Sequence, residues 1–345
     1  MITGKERIDR IFNKKETDRP ACLCPGGMMN MVTMELMDLA GVTWPKAHTD
    51  AGMMADLAEA SFRTGCFDNV GVPFCMTIEA ENLGAEVDLG SKGVEPHVCG
   101  YAAPSISEYV RPEGFDPSRG RAATVIEAIR LLKERKLDAP IVGNITGPIS
   151  VASSVVDPIS FYKGLRKRPE ESHEFMAFVT KSIGEFLKAQ VEAGADIITI
   201  SDPSGTGEIL GPKMFQEYAV RYINQLVVLA KSLGAKVIVH ICGHMKSVYE
   251  QMNLIESDVL SFDSCVSMTS ARSAFKDRVL MGNVSTYTLE FGLKDKVKEL
   301  TRNCRRSGAN IIAPACGLGT GSPLVNIRAI KEALEEDAAD ADYQN

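Results

Sequence analysis

Three side chains in this sequence have the chemistry to hold a soft metal ion or to form a nucleophile with its base: His240, Cys242 and Cys316. The first two end an apolar run, Val237-Ile238-Val239, in the stretch H-I-C-G-H. Residues two apart on a β-strand point to the same side, so this imidazole and this thiol face together. Cys316 ends a second such run, in Ala315-Cys316-Gly317. One imidazole and two thiolates suit Zn²⁺, and three protein ligands leave a tetrahedral ion one open position, as in catalytic sites. Two other readings use the same residues. A Cys–His nucleophile pair would leave one cysteine idle. A buried strand could carry a satisfied histidine and an inert thiol. The choice turns on whether the fold brings Cys316 to the H-x-C pair.

Eight short β-like runs recur along the chain: 20–24, 67–72, 140–144, 196–201, 236–241, 258–263, 278–284 and 310–315. Most are continuously apolar, as parallel strands buried on both faces are. Helical stretches lie between them. Residues 169–193 place Phe175, Val179, Ile183, Phe186 and Leu187 at helical spacing, and Gly194 follows as a stop. Residues 213–233 repeat the pattern before Gly234. The recurring unit of strand, loop, helix, glycine and strand predicts an α/β protein, a (β/α)8 TIM barrel spanning residues 1–345 as one domain. Thr3 and Glu6 form a T-x-x-E capping box that opens an N-terminal helical extension. The long spacing between the second and third strands predicts an insertion covering one barrel end. It includes an extra strand near 85–90. The acidic tail, E-E-D-A-A-D-A-D-Y-Q-N, reads as a fraying terminus.

Barrel active sites form at the carboxyl ends of the strands. There, besides the three soft donors, stand Asn144, Asp202, Ser204, Asp263 and Asn283, which are candidate substrate-binding residues. Asx residues also cap helices and close turns, so each has a structural alternative. Cys22 and Cys24 read as core thiols. His244, beyond Gly243, reads as the start of a helix, and His48, His97 and His173 read as surface residues. The glycine run after Cys316 matches neither dinucleotide nor P-loop spacing and reads as a flexible active-site loop.

Composition removes several classes of function. The net charge is −7, and no basic stripe is present to bind nucleic acid. No run of about 18 apolar residues is present to span a membrane. The start M-I-T-G-K-E-R-I-D-R-I-F has no apolar leader. Nine cysteines without extracellular cues read as reduced thiols of a cytoplasmic protein.

The motifs K-E-R-I-x-R-I-F…D-R-P, G-N-I-T-G-P, A-D-I-I-T-I-S-D-P, H-I-C-G and P-A-C-G…S-P…N-I-R-A resemble the uroporphyrinogen decarboxylase superfamily across nearly the whole chain. They are most similar to its corrinoid-dependent branch, the methylcobamide:coenzyme M methyltransferases. That resemblance implies zinc on His240, Cys242 and Cys316. It also implies a methylated corrinoid, carried by a separate corrinoid protein, as co-substrate, and a small thiol such as coenzyme M, or tetrahydrofolate, as acceptor. The reverse role, moving a methyl from a methylated donor to Co(I), and a docking barrel without catalysis are the alternatives. The decarboxylase branch fits less well. Its R-Q-A-G-R segment is replaced here by Cys22-Leu23-Cys24-Pro25-Gly26-Gly27, with no arginine to clamp substrate carboxylates.

Overall fold

A computed structural model describes residues 2–343. Ten strands form in chain order: β1 (Ala21–Cys22), β2 (Val70–Val72), β3 (Glu86–Asp88), β4 (His97–Gly100), β5 (Ile141–Thr146), β6 (Ile197–Ser201), β7 (Lys236–Ile241), β8 (Val259–Phe262), β9 (Val279–Met281) and β10 (Ile311–Ile312). Eight make one parallel sheet in the order β1-β10-β9-β8-β7-β6-β5-β2, curled into the expected (β/α)8 barrel. All eight runs read from the sequence hold a strand, although β1 and β10 are only two residues long.

The seam between β1 and β2 is closed by side chains. The Asn69 amide accepts from the Cys24 N–H (2.9 Å) and donates to its carbonyl (2.8 Å). Asp68 accepts from the Cys22 N–H, and its own N–H donates to the Cys22 carbonyl. Two Asx side chains thus supply the donor and acceptor that a longer ladder would have given.

Alternation along the strands sorts side chains between two cores. Val142, Ile197, Ile238, Val259 and Ile311 pack inside the barrel, while their neighbours Val237, Val239 and Ile241 join the larger layer beneath the helices. The N-terminal helix Gly4–Phe12, capped by Thr3 as its motif predicts, adds Ile8, Ile11 and Phe12 to the interior cluster and plugs the floor. The helix Pro169–Ala193 forms as read and ends at Gly194. The stretch read as helical from 213 already begins at Gly207, breaks at Gly211 ahead of Pro212, and runs on through a π-helical segment to Ser232.

The insertion contains the antiparallel hairpin β3–β4. Its turn reaches the glycine loop after Cys316, where the Thr320 hydroxyl donates to the Gly93 carbonyl (3.0 Å). The insertion therefore lies over the carboxyl end of the barrel. Over residues 335–343 the structure corrects the expectation of a fraying tail; Gln344 and Asn345 lie outside the described residues. A helix runs from Leu324 to Tyr343, and Glu336 and Asp337 pair with Lys298, Arg302 and Arg305 of the neighbouring helix. Its acidic run is complementary to a basic helix face, a relationship the tail alone does not display. Among the described residues no helix is long and apolar enough to cross a membrane.

Candidate metal centre

Ile238 lies in the interior cluster, so two residues on His240 also points inward, and Cys242 follows at the rim. Cys316 arrives from the loop after β10. The three donor atoms lie within 4.8 Å of one another. His240 Nε2 stands 3.3 Å from Cys242 Sγ, and the two sulfurs are 3.7 Å apart. Tetrahedral zinc with Zn–S of about 2.3 Å and Zn–N of about 2.0 Å requires S···S near ~3.8 Å and N···S near ~3.5 Å. The donor types and spacings therefore fit zinc with one open position. His240 is fully buried, and its Nδ1 lies 2.9 Å from the Ser261 hydroxyl on the adjacent strand. That bond orients the ring with Nε2 toward the thiols, the usual second partner of a ligating imidazole.

The contact between the two thiols shifts their proton affinities in opposite directions. A hydrogen bond from Cys242, opposed by burial and aided by His240, pushes Cys316 down to about 5. Cys242 is pushed up, first by Cys316 and then by burial and the charge of Asp263.

The structure divides the other expected site residues. Asp263 stands at the mouth, half-buried. Burial raises its pKa, but backbone N–H groups of Cys265 and Gly243 outweigh this and hold it below the usual carboxylate range. Asn144 and Asp202 stand at the expected strand ends, with their side chains bonded to neighbouring main chain. The Asn144 amide donates to the carbonyls of Pro25 (2.8 Å) and Val72 (3.0 Å), tying three strand ends together. Asp202 is fully buried and accepts from Ile149 N, Ser150 N and Ser150 Oγ, capping the helix Pro148–Val155. Burial raises its pKa against those bonds. Ser204 is held through its main chain, its N–H donating to Ser150 Oγ and its carbonyl accepting from Tyr162. The Asn283 amide donates to the carbonyls of Asp263 and Val266, supporting the Asp263 turn.

Sequence reading missed Glu95. It descends from the insertion and accepts from the Asn30 amide (3.0 Å), and burial, reinforced by the charge of Cys316, pushes it up to about 7. No local motif marks it, because its place depends on the hairpin folding over the mouth. His48 is another correction. It is buried, and its ring lies against Trp44 and Phe74 with centroids 4.8 and 6.5 Å away. Cys22 and Cys24 are core thiols as read. His244 is exposed in the loop before a short 3-10 turn.

A parallel α/β barrel with its reactive side chains gathered at the carboxyl end defines a class of barrel enzymes. The chain belongs to the uroporphyrinogen decarboxylase (URO-D) family, whose model matches residues 3–336. It is 30% identical over 340 residues to the methylcobamide:CoM methyltransferase MtaA of Methanosarcina barkeri, covering 97% of this chain and 98% of that protein. It is 29% identical to the methylated-thiol–coenzyme M methyltransferase of Methanosarcina mazei, covering 90% and 84%. A solved methyltransferase structure from Methanosarcina mazei superposes with a TM-score of 0.90 at 30% identity, covering 98% of this chain and 99% of that one. The resemblance to the methyltransferase branch therefore holds across the chain.

Proposed function

We propose that this chain is a zinc-dependent methyltransferase that moves a methyl group from a corrinoid, delivered by a separate corrinoid protein, to a small thiol. The convergence of His240, Cys242 and Cys316 within 4.8 Å carries the reading, and methyl transfer by the relatives supports it. Zinc bound to one neutral imidazole and two thiolates has no net charge, so it supplies deprotonation of an incoming thiol while leaving the sulfur nucleophilic.

The protein's own residues provide the rest. Ser261 fixes the His240 ring. Burial of His240 and half-burial of both cysteines limit water around the sulfur. The hairpin and the Cys316 loop wall the approach from one side. In the transfer, a C–S bond forms as the Co–C bond breaks, and the electron pair stays with the corrinoid. The products are a methyl thioether and reduced corrinoid.

Metal analysis and one assay test this reading. The purified chain should hold about one zinc, and Cys316→Ala should lose most of it while retaining its circular dichroism. With methylcobalamin and a thiol, the wild type should generate the absorbance of reduced cobalamin, and Cys316→Ala should slow this by at least ~100-fold. Full zinc and full rate in Cys316→Ala would remove the assignment.

A further inference from the structure

Two basic segments from opposite ends of the chain meet at the barrel floor. Lys14 and Lys15 follow the N-terminal helix, and Lys276 and Arg278 precede β9. Lys14 joins the two. Its backbone is left-handed (φ 55°), which few residues with a Cβ adopt, and its ammonium donates to the Asp277 carbonyl (2.7 Å). Between the segments opens a cavity of about 620 Å³, lined also by Arg272. Among the described residues Lys14, Lys15, Arg272, Lys276 and Arg278 make no ion pair; the pairs formed around the cavity belong to Arg7, Arg19 and Arg305. The carboxylates lining it do not offset these five cations, because Asp18 is taken by Arg7, which leaves Glu16 and Asp277.

The guanidinium N–H groups are already committed. Arg272 donates to the carbonyls of Phe275, Lys276, Arg278 and Gly308, and Arg278 to those of Ile255 and Ser257. Carbonyl oxygens satisfy these donors without neutralising their charge. Lys15 and Lys276 are exposed, and their ammonium groups have no partner among the described residues. Like charges gathered around a cavity repel one another, and a bound anion relieves that repulsion.

We propose that this floor cavity binds a small polyanion carrying two or more phosphate groups, at the end of the barrel opposite the metal centre. Two-point recognition of a carboxylate needs an open guanidinium fork, and carbonyls occupy both forks here. Lysine ammonium groups act as point charges, which suits phosphate. A cavity of about 620 Å³ exceeds one phosphate and lies within the size range of small-molecule sites, so linked phosphates can reach both segments. The site needs nothing from the methyl-transfer reading.

Calorimetry at fixed ionic strength with pyrophosphate, citrate and sulfate tests it. Pyrophosphate should bind at one site per chain, tighter than citrate or sulfate by about tenfold or more. Lys15→Ala/Lys276→Ala should weaken pyrophosphate by about tenfold or more. Lys163→Ala/Lys167→Ala removes the same charge from exposed positions on the helix Pro158–Lys167 and should leave the affinity within about twofold. The metal centre is common to all three proteins, so any binding there drops out of the comparison. Circular dichroism checks that both variants are folded. No pyrophosphate binding by the wild type, an affinity unmoved by Lys15→Ala/Lys276→Ala, or equal weakening in the two double variants overturns the site. Citrate bound as tightly as pyrophosphate overturns the assignment to phosphate.

Discussion

The two ends of this barrel are built differently. At the floor, polar side chains find partners within the protein. Asp196 accepts the Ile141 N–H (2.9 Å), Asp258 that of Val237 (2.8 Å), and Asn310 that of Leu280 (3.0 Å), so side chains cap the starts of alternate strands. Arg19 and Asp68 form a buried two-point pair. Arg272 donates to the carbonyls of Phe275, Arg278 and Gly308. Toward the mouth, the Ser201 hydroxyl, level with His240, has no partner among the described residues. Satisfied polar groups stabilise, whereas unsatisfied ones destabilise unless a ligand completes them. The floor is the fold's anchor, and the mouth carries the proposed metal site.

Breaking the floor should therefore affect folding without affecting the metal. Asp68→Ala removes the partner of a buried guanidinium and the acceptor of the Cys22 N–H, and it opens the β1–β2 seam. Loss of one member of a buried pair costs about 3–5 kcal/mol. Chemical denaturation should show that loss, while zinc per folded chain stays at the wild-type value. A variant that lost zinc in proportion to stability would mean the two ends are not independent.

At the mouth the same size of truncation should do the reverse. Ser261→Ala deletes only the hydroxyl beside His240 Nδ1. Loss of such an orienting partner weakens metal affinity by about 10–100-fold. Competition with a chelator should report that drop, and the melting temperature of the metal-free protein should barely move. Unchanged affinity would show that packing alone orients the ring.

The sequence and the structure agree most closely where local pattern decides. The eight apolar runs, the Thr3 cap, the Gly194 stop and the inward phase of His240 and Cys242 follow from periodicity and short-range hydrogen bonding. Placing Cys316 beside them needed only the barrel. Features that depend on distant packing were not legible. Glu95 reaches the site only after a hairpin crosses the mouth. The acidic tail becomes helix because Lys298, Arg302 and Arg305 face it. Asn144 and Asp202 stand at the right strand ends, but their short side chains bond more favourably to nearby main chain than to solvent. His48 lies in W-P-K-A-H, a polar-looking stretch, and only Trp44 and Phe74 together bury it.

That histidine belongs to a third region, the wall between floor and mouth, where two buried groups oppose each other across pH. Burial, with a smaller contribution from Arg121, lowers His48 from 6.5 to about 3. Burial raises Glu79 from 4.5 to about 7, against hydrogen bonds from Thr146. As pH falls from 7 to 5.5, the unfolded chain protonates His48 while the folded chain does not, so stability falls by about 1.4 kcal/mol. Over the same interval the folded chain protonates Glu79 while the unfolded chain stays ionised, so stability rises by about as much. Substitution should separate the two contributions when each variant is compared with the wild type, because the other titrating groups are then common to both. His48→Phe should gain stability relative to the wild type between pH 7 and 5.5. Glu79→Gln should lose stability relative to the wild type over that interval. Urea denaturation of the wild type and the two variants at both pH values measures these opposite deviations in slope. Parallel slopes would show that these two groups do not titrate as their burial requires, and the wall would then be as indifferent to acid as the paired floor.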